Sequence, residues 1–261
     1  MMKSNRLSPA AFAAAGLVVA VVLLLAGCKS KPMDDPIMQL AAKESLAQGK
    51  DLLAQKKFAK ARPYFEHAYS VEPNSAIGRE GLLLAADTYF QLSGFSNYVQ
   101  AEAKYRDFLN RFPTSEQAAY VQFQIANSLA KRMERPDRDQ AVTKKSLDAY
   151  EDLLRLYPSS EYAIEAKDQI VRVRTNLAAH EFVVGRFYLR YGAPTAAIQR
   201  FEFLIDRYPE YPEKDKALYN LGVAYSKLGK KEEAQKAFDR LKSEYPKSEL
   251  VTEIPAAEAA K

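Results

Sequence analysis

Residues 181–209, EFVVGRFYLRYGAPTAAIQRFEFLIDRYP, decide how the rest of the chain is interpreted. The segment predicts two helices joined by a turn at residues 191–194. Gly185 lies in the first helix, 24 residues before Pro209. The second helix carries Ala197, Phe201 and Leu204, which lie 12, 8 and 5 residues before the same proline. Proline lacks an N–H and cannot continue a helix, so Pro209 ends the hairpin.

The same spacing recurs before four other prolines. The five prolines are Pro73, Pro113, Pro158, Pro209 and Pro246. Twelve residues earlier stand Ala61, Ala101, Ser146, Ala197 and Ala234. Eight residues earlier stand Phe65, Tyr105, Tyr150, Phe201 and Phe238, and five earlier stand Ala68, Phe108, Leu153, Leu204 and Leu241. Glycine occupies the position 24 residues earlier three times, as Gly49, Gly185 and Gly222. This pattern is the signature of tetratricopeptide repeats, helix–turn–helix units of about 34 residues.

Composition agrees with a helical repeat array and gives little support to nucleic-acid binding. The chain has 261 residues, a formal charge of +5, one cysteine and no tryptophan. Basic and acidic residues are interspersed, so the charge is too mild to indicate nucleic acid. With a single cysteine, an internal disulfide is impossible.

The first 27 residues predict an export signal. Lys3 and Arg6 precede an apolar run over residues 10–25, and small residues then lead to Cys28. Residues 25–28, Leu-Ala-Gly-Cys, resemble a bacterial lipobox, which implies cleavage before Cys28 and lipidation of its sulfur and new amino group. An ordinary signal peptide or an uncleaved anchor helix is the alternative. Lys29 following the cysteine favours sorting to the outer membrane, and residues 28–40 are expected to form a lipidated tether.

We predict an all-α, superhelical solenoid of five tetratricopeptide repeats. Repeats one to three occupy residues 41–158. The spacing from Pro158 to Pro209 exceeds one repeat, and no glycine or proline interrupts residues 159–184. One long helix should therefore run into repeat four and make the solenoid bend or divide into two lobes. The long helix and repeats four and five occupy residues 159–247, and residues 248–261 are expected to form a short frayed tail.

Local signals predict several boundaries. Ser75, Ser115 and Ser160 are expected to cap the helices that follow them, and Pro63 is expected in the first turn of its helix. The turn at residues 93–97 is expected to be unusually long. Residues 131–144, KRMERPDRDQAVTK, are predicted to form a charged loop, either functional or an insertion.

Together these features resemble one family, the BamD-type lipoproteins of the outer-membrane β-barrel assembly machinery. The resemblance spans about residues 25–247. It rests on the lipobox, the repeats, the Arg-Asp-Gln segment at 138–140 and the long helix with LAAHEF at 177–182. It implies a periplasmic subunit, lipid-anchored in the outer membrane, that joins the BamA barrel protein and other lipoproteins of the machinery and helps deliver unfolded outer-membrane proteins.

The resemblance also implies two binding regions. The C-terminal repeats would dock on BamA, helped by a basic residue in the second helix of repeat four, which is Arg200 here. Pairing of Arg200 with Glu202 or Asp206 on its own helix is the alternative. The N-terminal repeats would receive the C-terminal signal of a barrel substrate in the groove of their first helices. Repeat register gives as groove candidates Lys50, Glu80, Asp87, Phe90, Tyr120 and Asn127; alternatively, the two aromatic residues are core and the charges solvated.

Other classes of protein fit less well. The two histidines, His67 and His180, lie far apart in sequence and outside any HExxH motif, and there is no glycine-rich phosphate loop or GxSxG motif. We therefore expect no enzymatic activity, metal or cofactor beyond the lipid on Cys28, and expect His180 to be a packed or capping residue. A secretin pilotin or a cell-envelope coordinator remains the alternative binding function.

Overall fold

The computed structural model describes residues 35–255, and within them it contains ten α-helices and no β-strand. In chain order the helices are α1 (Ala42–Ala54), α2 (Phe58–Val71), α3 (Ala76–Leu92), α4 (Phe95–Arg111), α5 (Ala118–Ala130), α6 (Ala141–Leu156), α7 (Ala163–Arg190), α8 (Pro194–Arg207), α9 (Lys214–Lys227) and α10 (Lys231–Glu244). Each helix packs chiefly on its neighbours in sequence, from α1 on α2 through to α9 on α10. Packing between sequence neighbours is how a repeat solenoid builds its core. The all-α solenoid of helical hairpins is confirmed.

The predicted repeat register is confirmed at every position. All fifteen residues at 12, 8 and 5 positions before the five prolines are buried, and none is more than 4% exposed. The second helix of each hairpin thus turns one stripe of small and large side chains toward its partner. Spacings of three and four residues place these side chains on one helix face, which is why a pattern in sequence becomes a continuous core.

Three of the five hairpins contain a close contact between glycine and phenylalanine. Gly49 faces the ring of Phe65, and Gly222 faces the ring of Phe238 in the same way. A Cβ atom at Gly185 would lie only 2.6 Å from Cε1 of Phe201. The absence of a side chain therefore creates the space that the aromatic ring fills.

The long helix predicted before repeat four is α7, which extends over 28 residues. It packs on α6 and on α8, and Gly185 in its C-terminal part meets Phe201 of α8, as expected for the first helix of repeat four. From Ala41 onward the described chain forms one compact unit, and one cluster of buried residues extends from Leu82 in α3 to Leu241 in α10. The core thus continues across α7 and shows no division into two lobes.

Two local predictions about helix boundaries are wrong. The turn after α3 is short, because only Ser93 and Gly94 separate it from α4. Both residues have positive φ angles, 58° and 90°, which reverse the chain within two residues. Pro63 is the sixth residue of α2 rather than a first-turn residue, so the helix accommodates one missing backbone N–H.

The predicted helix caps are confirmed at only one position. Ser75 Oγ accepts a hydrogen bond of 3.0 Å from Gly78 N–H and caps α3. Ser115 Oγ accepts from Gln117 N–H at 3.2 Å, but α5 begins only at Ala118 and this contact lies before its first turn. Ser160 does not cap α7, since its buried hydroxyl has no hydrogen-bond partner in the described structure.

Each end of the described chain contains a short 3-10 helix. Residues 36–39 form a 3-10 helix, capped by Asp35, whose carboxylate accepts from Ile37 N–H at 3.0 Å. At the other end, Glu249–Val251 form a second 3-10 helix. Its residues Leu250 and Val251, with Ile254 after it, pack against the main core. The predicted fraying is therefore wrong for residues 248–255, and residues 256–261 lie outside the described range.

Candidate functional site

The groove candidates of repeats one and two include an ion pair within the chain. Lys50 of α1 and Glu80 of α3 form a salt bridge of 2.6 Å between first helices of adjacent repeats. Both side chains are nearly half exposed, so the pair is screened by water and contributes little to stability. The pair places opposite charges side by side on the face that the first helices share.

Asp87 joins repeat two to repeat three. Its Oδ1 accepts hydrogen bonds from the Tyr105 hydroxyl at 2.6 Å and from the Tyr120 hydroxyl at 2.8 Å. Burial raises the pKa of the Asp87 carboxyl above its usual value, although both tyrosine hydrogen bonds oppose that shift. Burial, and then the nearby carboxylate, raise the pKa of both tyrosines. The carboxylate is thus an acceptor built between α3, α4 and α5.

Asn127 plays a related part in repeat three. Its Oδ1 accepts from the Tyr150 hydroxyl at 2.6 Å, and its amide donates to Gln124 at 3.1 Å. Phe90 is partly buried and packs edge-on against Tyr98, with 5.5 Å between ring centroids. The four candidates Asp87, Asn127, Phe90 and Tyr120 therefore all have packing or hydrogen-bonding duties within the repeats.

These contacts follow from the residue type at one register position. Repeats one, four and five carry phenylalanine eight residues before the proline, whereas repeats two and three carry tyrosine. A buried phenol needs a hydrogen-bond acceptor. Asp87 and Asn127 supply those acceptors from the first helix of the same repeat as Tyr105 and Tyr150.

Arg200 lies on α8 and pairs with a residue of the preceding helix. Its Nη1 donates to Glu181 Oε2 at 3.0 Å, so the predicted alternatives within its own helix, Glu202 and Asp206, are wrong. The Glu181 side chain is only 10% exposed, whereas that of Arg200 is 43% exposed. Arg200 therefore neutralises a nearly buried carboxylate and still presents guanidinium N–H groups to solvent.

The charged loop is shorter than predicted and is held against α7. It covers residues 131–140, because α6 begins at Ala141. Asn176 Nδ2 donates to the Glu134 carbonyl at 2.9 Å, and His180 Nδ1 lies 2.6 Å from the Pro136 carbonyl oxygen. His180 is therefore a packed residue, as expected.

A cleft between α7 and α9, the first helices of repeats four and five, was not predicted from the sequence. It has a volume of about 560 Å³. It is lined by Val183 and Phe187 of α7 and by Tyr191 directly after the end of that helix, and the Phe187 and Tyr191 ring centroids are 4.6 Å apart. Phe187 is 55% exposed and Tyr191 is 69% exposed, which is unusual for neighbouring aromatic side chains.

Three cations line the same cleft. Arg186 and Arg190 come from α7, and Lys227 comes from α9. No aspartate or glutamate is among the lining residues, and none of the three cations forms a salt bridge with another residue of the described chain. Arg190 and Lys227 stand five residues after Gly185 and Gly222, so the repeat register itself could have placed them together.

The described residues provide neither a metal site nor a membrane-spanning helix. No group of histidine, cysteine, aspartate and glutamate in residues 35–255 is arranged to hold a metal ion. No helix in this range is long and apolar enough to cross a membrane. Cys28 and the predicted signal peptide lie outside the described residues.

Comparison with known proteins gives the family. The model of the outer membrane lipoprotein family YfiO matches residues 38–241. The chain is 32% identical over 231 residues to the outer membrane protein assembly factor BamD of Rickettsia prowazekii, covering 88% of this chain and 90% of that protein. It is 31% identical to BamD of Caulobacter vibrioides, covering 87% and 73%, and 26% identical to BamD of Neisseria meningitidis strain Z2491, covering 90% and 92%.

These matches define the class of the protein, which is the family whose model is described as an outer membrane lipoprotein. The chain belongs to the YfiO family, in which its similar relatives are BamD proteins. Among solved structures, it is similar to the TPR2AB domain of yeast Sti1 in complex with pHSP90, with 16% identity, a TM-score of 0.42 and 78% of each chain covered.

Proposed function

We propose that this protein is an assembly factor for outer-membrane β-barrel proteins and acts as a non-catalytic scaffold and receptor. The observation that carries the proposal is the family match across residues 38–241, which includes all the α-helices of the array except the end of α10. A solenoid of exposed first helices suits this role, because it offers a long surface without chemistry of its own.

A lipid on Cys28 would hold the protein at the periplasmic face of the outer membrane. The sequence Leu-Ala-Gly-Cys at residues 25–28 supports this part of the proposal. Two or more acyl chains give stable anchoring, whereas a single chain gives only reversible binding. Replacement of Cys28 by alanine should release the protein from the membrane fraction, and mass spectrometry of the mature amino terminus should detect the lipid.

We propose that the C-terminal repeats dock on a BamA-type barrel protein and that Arg200 contributes to this contact. The partly exposed guanidinium, held in place by Glu181, is preorganised to contact a partner carboxylate. The pair also affects the design of a test, because Arg200→Glu alone would place two carboxylates together beside a nearly buried position. That change would lower stability as well as binding.

A double variant separates the two effects. Arg200→Glu combined with Glu181→Gln removes the like-charge contact and keeps the reversed charge at position 200. Lys104→Glu combined with Glu66→Gln is the matched control, because Lys104 also stands nine residues before its repeat proline and also pairs with a glutamate of an earlier helix, Glu66 at 3.6 Å. We expect the Arg200 double variant to recover much less BamA-type partner after crosslinking and purification from membranes, with recovery by the control double variant unchanged.

The result that would contradict the docking assignment is equal recovery of the partner with both variants. If a secretin or a cell-envelope protein is recovered in place of a BamA-type protein, the assembly role itself is wrong. In that case the alternative function, as a pilotin or coordinator, becomes the better interpretation.

We also propose that the groove of repeats one to three binds the C-terminal signal of a barrel substrate. Lys50 and Glu80 are the most accessible of the candidate residues, whereas Asp87, Tyr120 and Asn127 also support the repeats. Lys50→Ala and Glu80→Ala are therefore the cleaner tests, since exposed pairs cost little to remove. Site-specific photocrosslinking from position 50 to an unfolded barrel protein should fail if the groove does not receive the client.

A further inference from the structure

The cleft between α7 and α9 combines an exposed apolar stripe with cations that form no salt bridge to other described residues. Val183, Phe187 and Tyr191 recur at steps of four residues, so they form one apolar stripe that begins on α7 and ends at its C-cap residue, Tyr191. Their exposure is costly in water, and an exposed apolar stripe rimmed by polar groups marks an interaction site. Its volume of about 560 Å³ lies within the range of ligand-binding clefts.

The charges of the cleft are all of one sign. Arg186, Arg190 and Lys227 surround the stripe and form no salt bridge within the described chain. At the other end of the array, Lys50 stands one residue after Gly49, as Arg186 stands one residue after Gly185, but Lys50 is neutralised by Glu80. The same register position thus forms a salt bridge in repeat one, whereas in repeat four the Arg186 guanidinium forms none with the described residues and lies over the Phe182 ring, 5.7 Å from its centroid.

We propose that this cleft binds an extended peptide segment in which carboxylate side chains alternate with aromatic ones. The arginine and lysine side chains supply donors for the carboxylates. The Phe187 and Tyr191 rings supply an apolar surface on which an aromatic side chain stacks. The proposal stands independently of the assembly role, because it concerns only the chemistry of the cleft.

Helix stabilisation and membrane contact account for the cleft residues less completely. Arg190 and Lys227 are the last residues of their helices, where a positive charge favours the helix dipole. Dipole stabilisation does not account for Arg186, which lies one turn earlier, or for the exposed rings. Cations beside aromatic residues also suit an anionic membrane surface. A recessed cleft between two helices, however, fits inserted side chains better than it fits a flat bilayer.

Fluorescence anisotropy with the whole purified chain tests the proposal. The probe is a fluorescein-labelled, end-blocked peptide of sequence SDFDFS, compared with SNFNFS and SDADAS. We expect saturable binding of the first peptide, weakened by added salt because exposed charges are screened. Each comparison peptide should bind about tenfold more weakly or worse, which corresponds to about 1.4 kcal/mol or more.

Variants locate the binding in the cleft. The double variant Arg190→Gln with Lys227→Gln should weaken SDFDFS binding about tenfold, and Phe187→Ala should weaken it as well. Lys236→Gln, on an exposed position of α10 away from the cleft, is the control for charge and should change binding less than about twofold. Melting temperatures measured in parallel show whether each variant is folded.

Three results would overturn the proposal. The first is the absence of saturable peptide binding to the folded wild-type chain. The second is equal binding by the wild type and the double variant, and the third is equal binding of SDFDFS and SNFNFS. If phosphatidylglycerol vesicles sediment the wild type but not the double variant, while no peptide binds, the cleft residues serve a membrane surface instead.

Discussion

Replacement of Gly185 by leucine tests the packing that defines the hairpins. A Cβ atom at this position would lie 2.6 Å from Cε1 and 2.9 Å from Cζ of Phe201. The Phe201 ring is fully buried and packs against Phe182, with 6.1 Å between centroids, so it has little room to move. Inserting a side chain into a packed core typically costs about 1–3 kcal/mol. Leucine adds three carbons beyond Cβ, so we expect a cost near about 3 kcal/mol.

Helix propensity also changes in this variant, and its effect on stability is opposite in sign to that of overpacking. Glycine is less favourable than leucine inside a helix by about 0.8 kcal/mol, so helix propensity alone would stabilise the variant. The net expectation is a loss of about 2 kcal/mol, combining the two effects. For an array of this size, that loss lowers the melting temperature by about 4–8 °C. If Gly185 were present for reasons other than space, the variant would become more stable.

Urea unfolding followed by circular dichroism gives the free energies. Gln199→Leu, on an exposed position of the neighbouring helix α8, adds leucine outside the contact and should change stability by less than about 0.5 kcal/mol. Combining Gly185→Leu with Phe201→Ala removes the ring that the new side chain would meet. We expect the double variant to lose less than the sum of its parts. Strict additivity, or a Gly185→Leu protein as stable as the wild type, would refute the packing argument.

The remaining predictions concern a cap, a buried acid and a loop. Ser75→Ala removes the hydroxyl that caps α3 and should cost about 1 kcal/mol in urea unfolding, and an unchanged midpoint would exclude capping. Burial raises the folded-state pKa of Asp87 above its ordinary value of 3.8, so its stabilising contribution is complete below that pH and is lost as pH rises through the folded pKa. Asp87→Asn should lessen this decline as the pH rises above about 4, and an identical decline in both proteins would contradict the assignment. His180→Ala removes the contact with the Pro136 carbonyl, so trypsin should cut within residues 131–140 faster while cleavage elsewhere is unaffected.

The hairpins and their contacts could be predicted from sequence because each depends on nearby residues. A proline ends each second helix, and side-chain size at fixed distances before it sets which face is buried. Phe201 and Gly185 are only 16 positions apart, so one hairpin suffices to bring them together. The long helix α7 was predictable for the same reason, since no glycine or proline interrupts its first 22 residues, from Ala163 up to Gly185.

Charge pairing was not predictable in this way. Whether Arg200 meets Glu181, Glu202 or Asp206 depends on how far α8 is rotated against α7, and sequence distance favours the wrong partners. The predicted caps at Ser115 and Ser160 failed for a related reason, because a backbone turn places the start of the helix beyond each serine. The cleft depends on how α7 and α9 lie beside each other, and hairpin-level patterns do not specify that arrangement.

The choice between phenylalanine and tyrosine at one register position links packing to the distribution of polar groups. Phe201 packs on Gly185 and has no polar group, so it requires only space from the first helix and no hydrogen-bond acceptor. Tyr105 places a hydroxyl in the equivalent region of its own repeat, and this hydroxyl donates a hydrogen bond to Asp87. The first helix therefore has to place a carboxylate in the core. The middle repeats therefore use polar first-helix residues to satisfy buried phenols. The phenylalanine-containing repeats four and five place no such demand on α7 and α9, and this leaves those helices able to present cations such as Arg190 to a partner.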